Sequence, residues 1–482
     1  MELYNTRSRS LQKLSPLQDN TVRIYTCGPT VYNHAHIGNL SSYIFADTLH
    51  RAVRASGYPV QHIMNYTDVD DKTIRRSREQ YPHDDPRQAL HKLTNQYIDI
   101  FLDDMQKAGN DTNGIQFVRA TDERTIAGMR ELIARLHNKG FAYIADDGVY
   151  FSIEAYRKSG KTYGQLLELT TGNTSEARIQ NDEYDKESVH DFALWKKQKE
   201  GEPAWEFTLD GQDLSGRPGW HIECSVMSRQ ALGQPFDIHT GGIDLIFPHH
   251  ENEIAQSTAL EDNPVMATFF THNEHILVDG KKMSKSANNF YTLDDIAAKG
   301  YDPLAFRLLV LQAHYRSQVN FTWESLDAAA NRLKKWQAFA DLQFQALENA
   351  PPELLLENDA TMFDQPQLFI RQQLQDDLNT PQAITWVDQL SSRTVIVPAG
   401  AKLKKFKQLL LFLDDVFGLQ LNSRTDITTD QKELIKDREA ARASEEWARS
   451  NELRDELAAQ GISVRDTPYG PVWTKHHQAK TV

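Results

Sequence analysis

The stretch at residues 216–253, GRPGWHIECSVMSRQALGQPFDIHTGGIDLIFPHHENE, constrains this chain more than any other. It contains Cys224, one of only two cysteines in 482 residues, at the end of WHIEC, a run that predicts a short buried strand. At its far end His249 and Glu253 stand four apart. If Pro248 opens a helix, as proline at a first helical position readily does, their side chains share one face and can grip one ion. The other cysteine, Cys27, closes the short apolar run VRIYTC. Two strand-end thiolates, an imidazole and a carboxylate form a donor set that zinc accepts. Two buried free cysteines beside a surface His/Glu pair would account for the same residues. A protease reading drops out, because Ile254 stands four after His250 where H-E-x-x-H needs its second histidine.

A chain of 482 residues is too long for one core and predicts three or four domains, with room for a large α/β unit. The N-terminal MELYNTRSRSLQKL lacks the apolar centre of a signal peptide, and no run approaches 18 apolar residues. A cytoplasmic protein with no membrane span is expected, its two thiols reduced and free to hold metal. The formal net charge of -14 argues against a protein that coats DNA, though not against an RNA partner met by local basic patches.

In chain order, residues 22–27 predict a strand and GPTVYNHAHIGN a loop into a helix. Ile44, Phe45, Leu49 and Val53 continue that helix until Gly57 stops it before the strand VQHIM. Strand, glycine-containing loop, helix and strand open a mononucleotide-binding α/β unit, and His36 and Gly38 lie where that helix could meet a phosphate. No GxGxxG or GxxxxGK[ST] supports the reading. Asp68, Asp70 and Asp71 could bind Mg2+ or serve as a helix cap. A helix over 122–139, short strands at 141–144 and 149–153 and a polar stretch through about residue 187 predict a module inserted between two halves of the sheet. The DFALWKKQKEGEPAW segment is either a basic face toward phosphate or a solvated lysine cluster. Lys281, Lys282 and Lys285 lie on a loop after Gly280 that could close on a polyphosphate or simply be exposed. Residues 301–417 read as helical, and a single charged helix is expected from about 429 to 460.

Taken together, the motifs carry a resemblance. HIGN at 36–39 and KMSKS at 282–286 resemble the two signatures of class I aminoacyl-tRNA synthetases. CGPTVYN at 27–33, GWHIECS at 219–225, FPHHENE at 247–253 and the closing RDTPYGPVW are similar to the cysteinyl-tRNA synthetases. The resemblance implies an α/β class I synthetase-type Rossmann catalytic domain, split into residues 1–120 and 216–270 by an inserted module at 121–215. A signature-loop and stem-contact region at 271–320, a helical bundle at 321–420 and a C-terminal anticodon-binding domain at 425–482 would follow.

The resemblance further implies one zinc per chain on Cys27, Cys224, His249 and Glu253. Cys27, Trp220 and His239 would line the cysteine site. ATP, with its Mg2+, would meet Thr30, His36, Gly38, Asn39, Asp244 and Lys285, with His36, Asn39, Lys282 and Lys285 serving the chemistry. Arg442 and Asp466 match positions used on the anticodon. Ser41 and Asn451 depart from the commoner residues at their positions. The implied activity is ATP-dependent activation of L-cysteine and its transfer to tRNA(Cys) by a monomer. The rivals are a cysteine:small-amine ligase of the same fold, which would not need residues 425–482, and a non-catalytic zinc-binding scaffold.

Overall fold

In the computed structural model, residues 1–167, 191–262, 264–283, 289–345, 363–393, 401–467 and 470–476 are described. They fall into two units: Met1–Gln106 with Asp111–His275 and Tyr315–Gln318, and Lys107–Asn110 with Ile276–His314 and Val319–Val482.

The first unit opens with an antiparallel hairpin of β1 (Glu2–Asn5) and β2 (Ser10–Lys13). Then come β3 (Val22–Thr26), α1 (Ile37–Ala55), β4 (Val60–Tyr66), α2 (Asp71–Gln80), α3 (Pro86–Lys107) and β5 (Ile115–Arg119). The helix α1 starts where it does because His36 and Asn39 form a reciprocal capping box, and it stops at Gly57, whose φ of 93° suits glycine. An inserted antiparallel sheet follows from α4 (Glu123–Asn138), with β6 (Ala142–Ala145), β7 (Gly148–Phe151), α5 (Ile153–Lys158), β8 (Phe192–Lys197), the small hairpin β9 (Thr208–Leu209) and β10 (Gln212–Asp213), and β11 (Gly216–Pro218). The chain then makes α6 (Trp220–Leu232), β12 (Phe236–Gly242), α7 (Glu251–Thr258) and β13 (Ala267–Asn273).

The main sheet is parallel, in the order β13-β12-β3-β4-β5. Succession runs outward from β3 through β4 to β5 and, on the other side, from β12 to β13. The order reverses between β3 and β12, the place where open α/β sheets form a crevice at the carboxyl ends of their strands.

Two expectations are corrected, and a third falls on residues not described. WHIEC is not a strand: it is the start of α6, with Gly219 at its N-cap and Cys224 in its second turn. This helix is buried on almost every side, so it shows no 3.6-residue alternation to set it apart from a buried strand. Asp68, Asp70 and Asp71 do not converge on one ion. Asp70 caps α2 through the Thr73 N–H, Asp68 accepts from the Thr121 N–H and hydroxyl, and Asp71 pairs with Lys196 and Arg217. The polar stretch through about residue 187 falls mostly at 168–190, outside the described residues.

The second unit has β14 (Ile276–Val278), β15 (Lys281–Lys282), α8 (Leu293–Ala298), α9 (Pro303–Leu311), β16 (Val319–Phe321) and α10 (Trp323–Asp341). The helices α11 (Asp364–Gln375), α12 (Thr380–Arg393) and α13 (Ala401–Phe417) follow. Arg307 is fully buried here, its guanidinium donating to the carbonyls of Phe417 and Ala108 and to Asn110 Oδ1. The unit ends with α14 (Thr429–Ala443), α15 (Trp447–Ala459) and the hairpin β17 (Ile462–Thr467) and β18 (Gly470–Lys475). The single helix expected over 429–460 is therefore two, broken at residues 444–446, where Glu445 takes φ 60°. Among the described residues no helix is long and apolar enough to cross a membrane.

Candidate functional site

Cys27 follows the last residue of β3, at the carboxyl edge of the sheet beside the reversal point, and its backbone N–H donates to the Thr240 carbonyl of β12. Gly28 comes next because nothing larger fits: an added Cβ would overlap the carbonyl oxygen of Asn65 at the end of β4. The Gly28 N–H donates to Asn65 Oδ1 at 2.9 Å. Gly28→Ala should destabilise the protein by about 2 kcal/mol or more, because the obstacle is backbone and cannot rotate away. A denaturant midpoint unchanged from wild type would contradict this packing argument.

Three side chains gather beside Cys27. Cys224 Sγ, from α6, lies 3.8 Å from Cys27 Sγ, and Glu253 Oε1, from α7, also lies 3.8 Å away. His249 stands just before α7, with Nε2 3.0 Å from Glu253 Oε1. The proline before it opens a helix as expected: Phe247 is extended (φ -136°, ψ 135°), and helical geometry runs from Pro248 into α7. His249 and Glu253 share a face. All four side chains are buried, and His249 Nε2, although 3.0 Å from Glu253 Oε1, makes no hydrogen bond of good geometry.

A tetrahedral zinc with bonds of roughly 2.0–2.3 Å has donor–donor edges of about 3.3–3.8 Å. The observed separations of 3.0 and 3.8 Å approximate that cage. A second group, Cys27, His239, His250 and Glu253, is equally compact. Of its nitrogens, His239 Nε2 lies 2.8 Å from Glu253 Oε2, and His250 contacts Cys27 Sγ through Nε2 at 3.4 Å and His272 Nε2 through Nδ1 at 2.8 Å, while His239 Nδ1 is buried without a hydrogen-bond partner. The first group is the better zinc cage because it brings two sulfur donors where the second brings one. His221 Nδ1 lies 2.9 Å from His249 Nδ1, leaving Nε2 to point at the cluster.

Electrostatics favour a cation. Burial pushes the Cys27 thiol well up, and neighbouring Cys224 and Glu253 push it further. Glu253 is held at about 2: burial opposes its charge, but the His239 and His249 imidazoles overcome that. Burial also opposes a charged His249, yet Glu253 and Cys224 raise it to about 10. Cys224 falls to about 6 despite burial, through its contacts with Cys27 and His249.

The other expected residues of this unit lie along the same strand ends. Trp220 stacks on His249, ring centroids 4.0 Å apart and 20° from parallel. Thr30 bridges to Thr67, drawing the 28–33 loop along the end of β4. His36 Nδ1 accepts from the Asn39 N–H at 3.1 Å, Asn39 Oδ1 accepts from the His36 N–H at 3.4 Å, and Gly38 lies between them in the first turn. That turn has no acidic residue, so the amino end of a 19-residue helix keeps its attraction for an anion. The Ser41 hydroxyl turns back to the Gly38 carbonyl at 2.8 Å. Asp244 lies in the turn after β12, folded so closely over Gly242 that a Cβ there would strike it.

Lys282 and the anticodon candidates belong to the second unit. Lys282 is exposed on β15, and Lys285 lies outside the described residues. Asp466 is gripped by Arg438 through paired bonds of 2.7 and 2.9 Å and by Arg442 at 3.3 Å. These guanidinium groups hold its carboxyl below the ordinary value. Arg442 also lies over Trp447, whose side chain is 55% exposed, and Asn451 is exposed on α15. Sequence reasoning passed over Trp447, His221, His250 and His272. The paired histidines of FPHHENE and the strand-end histidine of FFTHNEH were the available signals.

Comparison with known proteins gives concordant results. The tRNA synthetases class I (C) catalytic domain matches residues 13–331, and the cysteinyl-tRNA ligase anticodon binding domain matches residues 424–473. A cysteine–tRNA ligase of Leptospira interrogans is 38% identical over 98% of this chain and 99% of its own length. One from Solibacter usitatus is 39% identical, with 98% and 99% covered. Among solved structures, LeuRS of Agrobacterium radiobacter K84, in a ternary complex with tRNA and LeuAMS, aligns with a TM-score of 0.58 at 13% identity, covering 86% of each chain. That likeness is one of fold.

Proposed function

Because this chain belongs to the cysteinyl-tRNA synthetase family, we propose that it activates L-cysteine with ATP and transfers the cysteinyl group to the 3′ end of tRNA(Cys), using zinc to select the substrate thiolate. The observation that carries the zinc reading is the buried set Cys27, Cys224, His249 and Glu253, whose donor atoms all lie within 4.8 Å of one another. A zinc ion held by these four would supply a soft Lewis acid that takes a thiolate far better than a serine hydroxyl. An apolar pocket separates such close analogues by only roughly 1–3 kcal/mol, so metal selection makes an editing site unnecessary. Reduced thiols suit the cytoplasm.

The residues of the chain orient the rest. Trp220 and His239 bound the cysteine site. The helix end at His36, Gly38 and Asn39, with Thr30 and Asp244, receives ATP and its Mg2+. The cysteine carboxylate attacks the α-phosphorus and pyrophosphate leaves, so charge grows on phosphate oxygens and calls for fixed positive donors rather than a protein nucleophile. The α1 amino end provides one; Lys282 and Lys285 are assigned as the cationic partners. The terminal ribose hydroxyl of the tRNA then displaces AMP. A small-amine ligase would have no use for the anticodon-binding domain matched at residues 424–473.

The reading is tested by cysteine-dependent ATP–pyrophosphate exchange. A folded, metal-loaded protein that shows none would overturn it. The charge states of the cluster add a second expectation. At neutral pH the metal-free site keeps a proton on Cys27, raised by burial, and on His249, at about 10, while Cys224 at about 6 and Glu253 at about 2 are ionised. Metal must expel both protons, so its affinity rises with pH, and binding at pH 7 should release about two protons. Calorimetry in buffers of different ionisation heat reads that number; no release would mean that these residues are not the ligands.

A further inference from the structure

A chain of hydrogen-bonding groups leads out of the thiolate cluster into a part of the protein with no evident role in the chemistry. Cys27 Sγ lies 3.4 Å from His250 Nε2, His250 Nδ1 lies 2.8 Å from His272 Nε2, and His272 Nδ1 lies 2.7 Å from Thr6 Oγ1. His250 and His272 are buried, and Thr6 is partly exposed just beyond β1. The N-terminal hairpin is stitched to β13 at this point. The Thr6 N–H donates to the Phe270 carbonyl at 2.8 Å, Asn5 Nδ2 donates to the Thr268 carbonyl at 2.9 Å, and the Phe270 N–H donates to Asn5 Oδ1 at 3.1 Å.

We propose that Thr6, His272 and His250 form a directed donor chain that positions and tunes the metal-bound Cys27 thiolate, and that the N-terminal hairpin is docked on β13 to complete it. The proposal rests on the zinc reading above. A metal-bound thiolate has no proton, so the group facing it must donate. His250 Nε2 then carries hydrogen, and its Nδ1 accepts from His272 Nε2–H. His272 Nδ1 in turn accepts from the Thr6 hydroxyl. Each contact needs one donor and one lone pair, so the thiolate at one end fixes the tautomer of both rings.

The purpose follows from charge. Two thiolates and a carboxylate already outweigh a divalent cation, and a substrate thiolate adds more negative charge in a buried site. Donors aimed at the ligands disperse that surplus. His250 serves Cys27, and His239 Nε2, 2.8 Å from Glu253 Oε2, is placed to serve the anionic carboxylate ligand. A chain that merely satisfied buried histidines would not have to end on a ligand sulfur.

The test uses the full-length protein loaded with zinc and, separately, with cobalt. Histidine 15N shifts should show both His250 and His272 as the Nε2–H tautomer. In competition with a chelator, His272→Ala should weaken metal binding about 10-fold or more, and Thr6→Val, which removes only the hydroxyl, about 3-fold. Thr6→Ser should restore it. The sulfur-to-cobalt charge-transfer band should shift in Thr6→Val, and KM for cysteine should rise more than kcat falls. Should His272→Ala fail to fold, Thr6→Val carries the decision. Variants that bind metal within twofold of wild type with an unshifted band, or rings found as the Nδ1–H tautomer, overturn the donor chain and leave the zinc reading standing. A wild-type protein that binds no metal overturns both.

Discussion

Cys224→Ser should release most of the bound metal and abolish cysteine activation along with it. The substitution is almost isosteric, in a helix that is otherwise unaltered, so loss of the fold is not the expected cause. Its effect is chemical: a neutral hydroxyl is a poor zinc ligand, whereas Cys224 is ionised down to about 6 and lies 3.8 Å from the second thiol. Loss of an outer partner of a metal ligand typically costs roughly 10- to 100-fold in affinity, so loss of the ligand itself should cost more than ~100-fold. Metal content by atomic emission and pyrophosphate exchange should fall together. Retention of full metal and full activation would place the site elsewhere. A chelator should reproduce the phenotype in wild type and added zinc should reverse it; added zinc should rescue the serine variant only at far higher concentration.

The sequence made the Cys27, Cys224, His249 and Glu253 cluster legible because two cysteines in a long chain and a His/Glu pair at helical spacing leave few other pairings. It misplaced the local structure around one of them. WHIEC belongs to a helix enclosed on almost every side, and complete burial erases the periodicity by which helix and strand are told apart. The break at residues 444–446 was hidden for a different reason. Ser, Glu and Glu carry no proline or glycine to announce it, and the left-handed Glu445 is not a residue type that favours that conformation. Of the three aspartates after β4, the capping alternative prevails for Asp70, and the other two answer to Thr121 and to the pair Lys196 and Arg217, partners 53 to 146 residues away. The donor chain was illegible for the same reason: Thr6 and His272 are 266 residues apart, and only the pairing of the hairpin with β13 brings them together.

Arg442→Ala should raise the tRNA concentration needed for half-maximal charging and reduce discrimination against tRNA(Cys) with an altered anticodon, while cysteine-dependent pyrophosphate exchange stays near wild type. Arg442 is the cleaner of the two anticodon candidates. Asp466 also neutralises Arg438, which is 4% exposed, so Asp466→Ala strands a buried guanidinium and mixes lost stability with lost recognition. Arg442 is half in water, over the exposed ring of Trp447, and its removal leaves the Arg438–Asp466 pair intact. A residue that reads a base weakens cognate binding by about 1–3 kcal/mol and relaxes specificity at one position, whereas a phosphate contact weakens all tRNAs alike. Deleting residues 425–482 should lower charging more than the point change does, but at a structural cost. Asp341, fully buried at the end of α10, keeps Arg424 and loses the Lys475 N–H, and Phe344 loses the Trp473 ring stacked on it. The truncated chain therefore has to be shown to unfold cooperatively and to retain pyrophosphate exchange before its charging defect is counted. If Arg442→Ala weakens every tRNA equally, or the folded truncation charges as well as the full chain, then anticodon bases are not read by this part of the protein.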